Sequence, residues 1–333
     1  MNMRDTQLPP VVSVVVPTYR RPDLLERCLD ALCAQVFDPT TYEIVIVDDD
    51  PAGSARPVID ACRLRMADVP AIRYMTAPDT QGPAGARNIG WRSARGALIA
   101  FTDDDTIPDP TWLRHGAAAL LAEPSAVAAA GRIDVPLRPR PTDYERDAAA
   151  LADAEFATAN CFVRRTALER IGGFDERFTR AWREDADLMF ALREHAGPIV
   201  GVDAARIVHP VRPAHWGASI GQQSKVYFDA LLYKKHRATY RRHIRSMPPW
   251  NYYAAVLFAI GAIGCFAAGW HAPGIACAAA WAVITAAFCA KRLRGTRLTP
   301  SHVAEMIVTS IVIPPVSLYW RMRGALHFRV LFL

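Results

Sequence analysis

The sequence predicts an α/β domain on a mostly parallel sheet, followed by a C-terminal region of apolar helices. Three observations carry that expectation. Short β-branched runs alternate with helical periodicity through the first hundred residues, several of the runs end in carboxylates, and two long stretches near the C-terminus carry no charge.

Val11 to Val16 (VVSVVV) is a continuous run closed by Pro17 and reads as a buried strand. Pro22 opens a helix whose Leu24, Leu25, Cys28, Leu29 and Leu32 share one face. Tyr42 to Val47 is the next strand and runs into Asp48, Asp49 and Asp50. Strand, helix, strand implies a right-handed crossover and parallel pairing. Ile72 to Met75 is a third short strand, and the Gly-rich block from Gln81 leads into a helix bearing Arg87, Asn88, Trp91 and Arg95. Arg87 by itself reads as a surface charge. The pattern GxGxxG is missing, which disfavours a dinucleotide site. Leu98 to Phe101 then delivers Asp103, Asp104 and Asp105. Three like charges together cost free energy, so the cluster is either a solvated turn or a cation site. In open parallel sheets, ligands gather beyond the carboxyl ends of strands, and both acidic clusters sit at such ends.

Pro108, Pro110 and Trp112 start a helix running to about Ala122, Val127 to Val135 reads as a strand, and Arg138 to Asp147 as a mobile, Pro-rich charged loop. Phe156 to Val163 is a further strand, Arg164 to Ile171 a short helix, and Gly172 to Asp175 a turn. Glu184 and Asp185 open the next helix, where the macrodipole favours negative charge, so plain capping would account for them. Ile199 to Val202 and Arg206 to Val208 are late strands, with His209 directly after the second.

In order, VSVVVPTYRRPDLLERCLDAL, EIVIVDDD, GPAGARNIG, ALIAFTDDDTIPDPTWL, NCFVRRTALERIGGFDERF and WREDADL resemble the family 2 glycosyltransferases with a GT-A fold. The resemblance spans Val11 to Pro210. It implies a nucleotide-sugar donor, and a DXD pair, Asp103 and Asp105, that holds Mg²⁺ or Mn²⁺ with His209 as a third ligand. It further implies donor binding by Pro17, Thr18, Tyr19, Asp48, Arg87 and Asp104, with Arg87 pairing with phosphate or holding an Asp. Asp185 takes the place of the catalytic base of inverting members, supported by Glu184. Trp182, Gly173 and Asp175 fall on the acceptor side, whose identity also depends on loops such as Arg138 to Asp153. Asp49 and Asp50 depart from the family's usual Asp-Gly-Ser. The QxxRW block of processive synthases is missing, so addition of one or a few sugars is expected. A nucleotidyltransferase is the competing enzyme reading, but it calls for a Gly-rich, basic loop where PTYRRPD stands. A degenerate, membrane-anchored saccharide-binding protein is the non-enzyme reading.

The net charge of +6 is concentrated in Lys234–Arg245 and Lys291–Arg297, and without them the chain is net negative, so no nucleic-acid partner is expected. The seven cysteines form no CxxC pair and read as reduced thiols. The polar N-terminus lacks the apolar core of a signal peptide. Tyr252–Trp270 and Gly274–Ala290 have the length and composition of a spanning hairpin, with interfacial aromatics at the ends and Lys/Arg on both outer flanks. The expected organisation is a tail (1–10), a GT-A domain (11–213), a juxtamembrane segment (214–250), a two-helix hairpin (251–290) and a basic linker with an interfacial or re-entrant segment (291–333). Pro314–Pro315 is expected to interrupt that last segment. The expected setting is a bacterial inner membrane, with the lipid bilayer as a partner, the catalytic domain cytoplasmic, and a saccharide or lipid-linked acceptor.

Overall fold

The computed structural model describes residues 10–65, 70–77 and 82–332; the tail before residue 10 and Gln81 lie outside them. β1 (Val12–Thr18), α1 (Pro22–Cys33), β2 (Tyr42–Asp48), α2 (Arg56–Arg65), β3 (Ala71–Thr76), α3 (Pro83–Ser93) and β4 (Leu98–Thr102) alternate. Next come β5 (Ile107–Pro108), α4 (Trp112–Ala122), β6 (Ala128–Asp134), α5 (Asp143–Ala149), β7 (Asn160–Arg164), α6 (Arg165–Ile171), α7 (Glu184–His195) and β8 (Ile199–Val208). The remainder is helical: α8 (Ala218–Gln222), α9 (Val226–Lys235), α10 (Arg237–His243), α11 (Trp250–Ala267), α12 (His271–Leu293) and α13 (Pro300–His327).

The chain divides into two units, Met1–Pro136 with Ala150–Pro210, and Leu137–Ala149 with Val211–Leu333. The first is built on one mixed sheet in the order β3-β2-β1-β4-β7-β6-β8-β5. β3, β2, β1 and β4 are mutually parallel, and β1, β2 and β4 are almost wholly buried, as their unbroken apolar runs require. α1 packs Leu25, Cys28, Leu29 and Leu32 onto this core, each large side chain contributing about 2 kcal/mol of burial.

β7 corrects the simple parallel picture. It runs antiparallel to β4, and β6 antiparallel to β7. The expected strand from Phe156 begins only at Asn160, because the Asn160 amide donates back to the Ala157 carbonyl in a turn (3.0 Å). The two late strands are one, β8, parallel to β6 with a register shift between Gly131 and Arg132. Two reversals restore direction, so β6 and β8 point the same way as β4. The carboxyl ends of β1, β2, β4, β6 and β8 therefore share one edge.

In the second unit, α11, α12 and α13 are each long and apolar enough to cross a membrane. α13 runs unbroken through Pro314 and Pro315, against the expected interruption. Proline φ suits a helix, and the loss is confined to two N–H groups. Packing against α9, α11 and α12 compensates for them. The expected mobile loop, Arg138 to Asp147, is helical from Asp143 on, as part of α5 within this helical unit. The helix expected over His215–Tyr233 is broken into α8, a 3₁₀ turn at Gln223–Lys225, and α9.

Candidate active site

The strand ends converge on the Asp103–Asp105 turn. Thr102 and Thr106, both fully buried, share a hydrogen bond of 2.7 Å, and the Thr106 hydroxyl donates to the Asp103 carbonyl (2.8 Å). This closes the turn, with Asp103 and Asp105 brought together and Asp104 directed to Thr18 and Arg21. One oxygen from Asp103, one from Asp105 and a His209 ring nitrogen all lie within 4.8 Å of one another. His209 Nε2 is 3.4 Å from Asp105 Oδ1. His209 reaches this position because its amide donates to the Asp134 carbonyl (2.9 Å), fixing the exit of β8 against the end of β6. Two hard carboxylates and one imidazole suit a divalent cation of the Mn²⁺ or Mg²⁺ type, the nitrogen favouring Mn²⁺. The residues present therefore fit the metal that the DXD pattern implies.

Asp104 faces away from that cluster. It is 2% exposed, and its carboxylate accepts from the Thr18 hydroxyl (2.7 Å) and from Arg21 Nη1 (3.1 Å). Burial pushes its carboxyl up to about 6, against the opposing pull of Arg21 and Thr18. Asp104 thus joins the β4 turn to the loop after β1, where Pro17 is half-buried and Tyr19 is exposed beside the Arg20 guanidinium (5.0 Å to the ring centroid).

Arg87 is not a surface charge: it is 2% exposed and stands between two carboxylates. Nη2 donates to Asp103 Oδ1 (2.6 Å) and Nη1 to Glu184 Oε1 (3.2 Å). α3 can bring it there because Gly90, one turn on, lets the helix lie directly against Val15 of β1; a Cβ at this position would collide with the Val15 side chain. Nε of Arg87 and Oε2 of Glu184 are buried without a hydrogen-bond partner among the described residues. Burial alone would raise the Asp103 carboxyl, but Arg87 and His209 outweigh it and hold the group below its usual range.

Glu184 and Asp185 begin α7, entered through Arg183 at φ 74°, a left-handed conformation uncommon for a non-glycine residue. Burial, reinforced by the Asp185 charge and offset in part by Arg87, pushes Glu184 up to about 7. Burial also raises the Asp185 carboxyl, whose Oδ1 accepts from the Ala186 amide (2.7 Å). Trp182 is half-buried with the Arg183 guanidinium 4.5 Å from its ring centroid.

The remaining expected residues sit apart from these carboxylates. Asp48 is fully buried at the end of β2, and its oxygens accept from Asp50 N (3.0 Å), Ala55 N (2.8 Å) and Tyr74 Oη (3.2 Å). Gly173 has φ 81° and is packed so closely on Asn88 and Trp91 that a Cβ would collide with both. Asp175 pairs with Arg177 (2.6 Å). The turn between them buttresses the site through Phe174, whose ring meets Phe101 edge-on and lies 5.7 Å from the Arg87 guanidinium. Asn88, which donates to the Phe174 carbonyl (2.9 Å) and accepts from its amide (2.9 Å), and Arg21 belong to this framework and were not singled out by sequence. Their signals were present, as the Asn of ARNIG and the second Arg of TYRRP.

Comparison with known proteins agrees with this geometry. The model of Glycosyl transferase family 2 matches residues 13–179, and that of Glycosyl transferase family group 2 matches residues 98–290. The glycosyltransferase AglE of Haloferax volcanii is 26% identical over 237 residues, covering 65% of this chain and 72% of AglE. Validoxylamine A glucosyltransferase of Streptomyces hygroscopicus subsp. limoneus is 28% identical over 228 residues, which cover 57% of this chain and about half (49%) of that relative. Among solved structures, the mannosyltransferase PcManGT from Pyrobaculum calidifontis, in complex with GDP-Man and Mn²⁺, superposes with a TM-score of 0.58. It is 19% identical, and the match covers 94% of this chain and 88% of that one, which establishes the common GT-A fold.

Proposed function

The chain belongs to glycosyl transferase family 2, and from that premise we propose that it is an inverting, divalent-metal-dependent glycosyltransferase acting on a membrane-associated acceptor. The donor is a nucleotide-diphosphate sugar, with UDP-sugars the first to test. The observation that carries the reading is the chain of contacts from the Asp103–Asp105–His209 cluster through Arg87 to Glu184 and Asp185.

In this reading Asp103, Asp105 and His209 hold the cation. When bound, it neutralises charge that develops on the departing diphosphate. Asp185 accepts the proton of the acceptor hydroxyl. The hydroxyl oxygen forms its bond to the anomeric carbon as the bond to the diphosphate breaks on the opposite face, and the nucleoside diphosphate leaves. A buried carboxylate with a raised pKa is a better proton acceptor near neutrality than a solvated one, and burial raises Asp185 against the opposing pull of the Ala186 amide and of Arg183 and Arg87. Arg87 orients both carboxylate groups from one guanidinium. Asp104 supports the loop after β1 from below. Trp182 offers an apolar face to a sugar.

In this reading α11 and α12 are the spanning hairpin of a bacterial inner membrane, and the Lys/Arg on both outer flanks support a cytoplasmic side for those flanks and for the catalytic unit. α13 lies in the interface rather than across the membrane. It runs beside the charged juxtamembrane segment for its whole length: Glu305 accepts from the Gly217 amide (2.8 Å), Gly324 lies directly against the Tyr227 backbone, and the Phe328 carbonyl accepts from Lys234 (2.9 Å). Membrane helices carried on the same chain tether the catalytic domain to the bilayer that bears lipid-linked saccharides.

The test is metal-dependent turnover by the full chain with a panel of UDP- and GDP-sugars, read as released nucleoside diphosphate. Asp185→Asn should fold and bind donor while losing transfer by about a thousandfold, within the span of general-base effects. Near-normal transfer would exclude Asp185 as the base. Release of pyrophosphate would exclude the reaction class.

A further inference from the structure

One short stretch after β1 is tied to the ends of both neighbouring strands. Towards β2, Arg20 lays Nε and Nη2 on the two oxygens of Asp50 (3.2 and 3.3 Å). Towards β4, the Thr18 hydroxyl and Arg21 Nη1 both donate to Asp104 (2.7 and 3.1 Å). The two arginines are used differently. Arg20 meets its carboxylate with two nitrogens and is matched by it. Arg21 commits one nitrogen to a carboxylate that it shares with Thr18. Its side chain is 38% exposed, and its Nε and Nη2 make no hydrogen bond among the described residues.

The place of Arg21 in the sheet gives those spare donors a use. β2 and β3 lie on one side of β1, and the chain then returns to put β4 on the other. The ends of β1 and β4 are thus the switch point of the parallel half, where such sheets bind ligands. β2, β1 and β4 are neighbours in that order, so their ends span two strand spacings, roughly 10 Å. In the donor reading the base lies at the β2 end and the cation at the β4 end. The diphosphate that joins nucleoside to sugar must then cross the β1 end, over Thr18 to Arg21. That crossing is costly without further positive charge. Three carboxylates stand on the β4 turn, and the Arg87 guanidinium is already divided between Asp103 and Glu184. Arg21 is a part-exposed cation beside that turn, and its charge also acts on Asp103.

We propose that Arg21 is a donor-binding residue: the guanidinium nitrogens that Asp104 leaves unused contact the diphosphate of the nucleotide sugar, and Asp104 aims them. This rests on the donor reading above. A planar fork of charged N–H groups suits phosphate oxygens. As the bond to the sugar breaks and charge grows on the departing diphosphate, these bonds strengthen.

The experiment uses the full chain in detergent micelles with Mn²⁺. UDP and GDP are titrated by calorimetry, and uridine and guanosine by NMR as phosphate-free references. Arg21→Gln should lose about tenfold or more in affinity for the diphosphate that the unaltered chain binds, and keep its nucleoside affinity. Arg21→Lys, which retains the charge, should bind the diphosphate better than Arg21→Gln does. A parallel loss of diphosphate and nucleoside affinity would mean that Arg21 only supports the loop, and would overturn the role. Unchanged diphosphate affinity, or equal losses in the Lys and Gln variants, would overturn it too. Affinities are read per folded molecule, and if Arg21→Gln does not fold, Arg21→Lys carries the same comparison against the unaltered chain. If the unaltered chain binds neither UDP nor GDP, the donor reading fails and the role of Arg21 with it. That result is distinct from wild-type binding that the variants leave untouched, which overturns the role of Arg21 alone.

Discussion

Two buried arginines, one in each unit, are bonded in different ways. Arg292 meets one carboxylate and three hydroxyls, and both oxygens of its Asp143 partner are bonded, one by Arg292 and one by Arg146, so the cluster is closed. Arg87 meets two carboxylates from distant loops, with Asp185 adjacent to one of them, and leaves its own Nε and Glu184 Oε2 without hydrogen bonds. Native interiors satisfy nearly all buried polar atoms, and exceptions collect where something else is meant to bind or react. On the proposed reading the closed cluster is architecture, and the open one serves the chemistry.

Removing the cation from each cluster should separate the two most clearly. Arg87→Met strips the shared partner from Asp103 and Glu184. A loss of about 3–5 kcal/mol is expected. It should appear as turnover falling by about a thousandfold in initial-rate assays, with a lower melting temperature. Arg292→Met should also lower the melting temperature, by removing the partner of Asp143 Oδ2 and of the Thr309, Ser310 and Ser219 hydroxyls, while donor hydrolysis per folded molecule stays near normal. Equal losses of hydrolysis in both variants would erase the distinction.

A smaller effect is expected from Glu184. Its pKa is raised from 4.5 to about 7, so the native chain binds this proton more tightly than the unfolded chain does. The penalty for ionising it is absent below pH about 4.5, grows as pH rises, and is complete above about 7, so stability from this group falls across that window. Glu184→Gln should remove the fall, of order 3 kcal/mol at most. Urea titrations of both proteins at either end of the window would read it, and a variant with the same pH slope as the wild type would contradict the raised pKa. Smallest is Thr18→Val, which deletes the hydroxyl donated to Asp104 and should cost about 2 kcal/mol or less. With that contact gone the Asp104 carboxyl should titrate above about 6, as carboxyl infrared bands in a pH series would show.

Much of the catalytic unit was legible because apolar runs such as Val14–Val16 and Ile44–Val47 can be buried on both faces in only a few ways. The Asp103–Asp105 turn, Glu184–Asp185 and His209 are singled out by the family resemblance, because a solvated turn or plain helix capping would otherwise account for the acids. Direction was not legible for β7, since NCFVR can pair either way and the choice is made by β4 and β6. Nor was Arg292, and Arg87 was legible only through the resemblance, which implied a phosphate pair or a held Asp, the latter matching its bond to Asp103. Arg87 and Arg292 look like surface charges in sequence, and only carboxylates far along the chain, Glu184 and Asp143, make their burial affordable. α13 was expected to break at Pro314–Pro315, but tertiary packing overrode local propensity.

The separation between Asp143 and Arg292, 149 positions along the chain, also sets a timetable. During synthesis α5 emerges long before α12 or α13 exists, and at typical ribosomal rates its partner arrives about ten to thirty seconds later. Through that interval the sheet can close around β6 and β7 while Asp143 stays hydrated. The Asp143–Arg292 pair can form only once α12 has been made. Docking of α5 is thus a late event in the life of each molecule, one that marks completion of the helical unit.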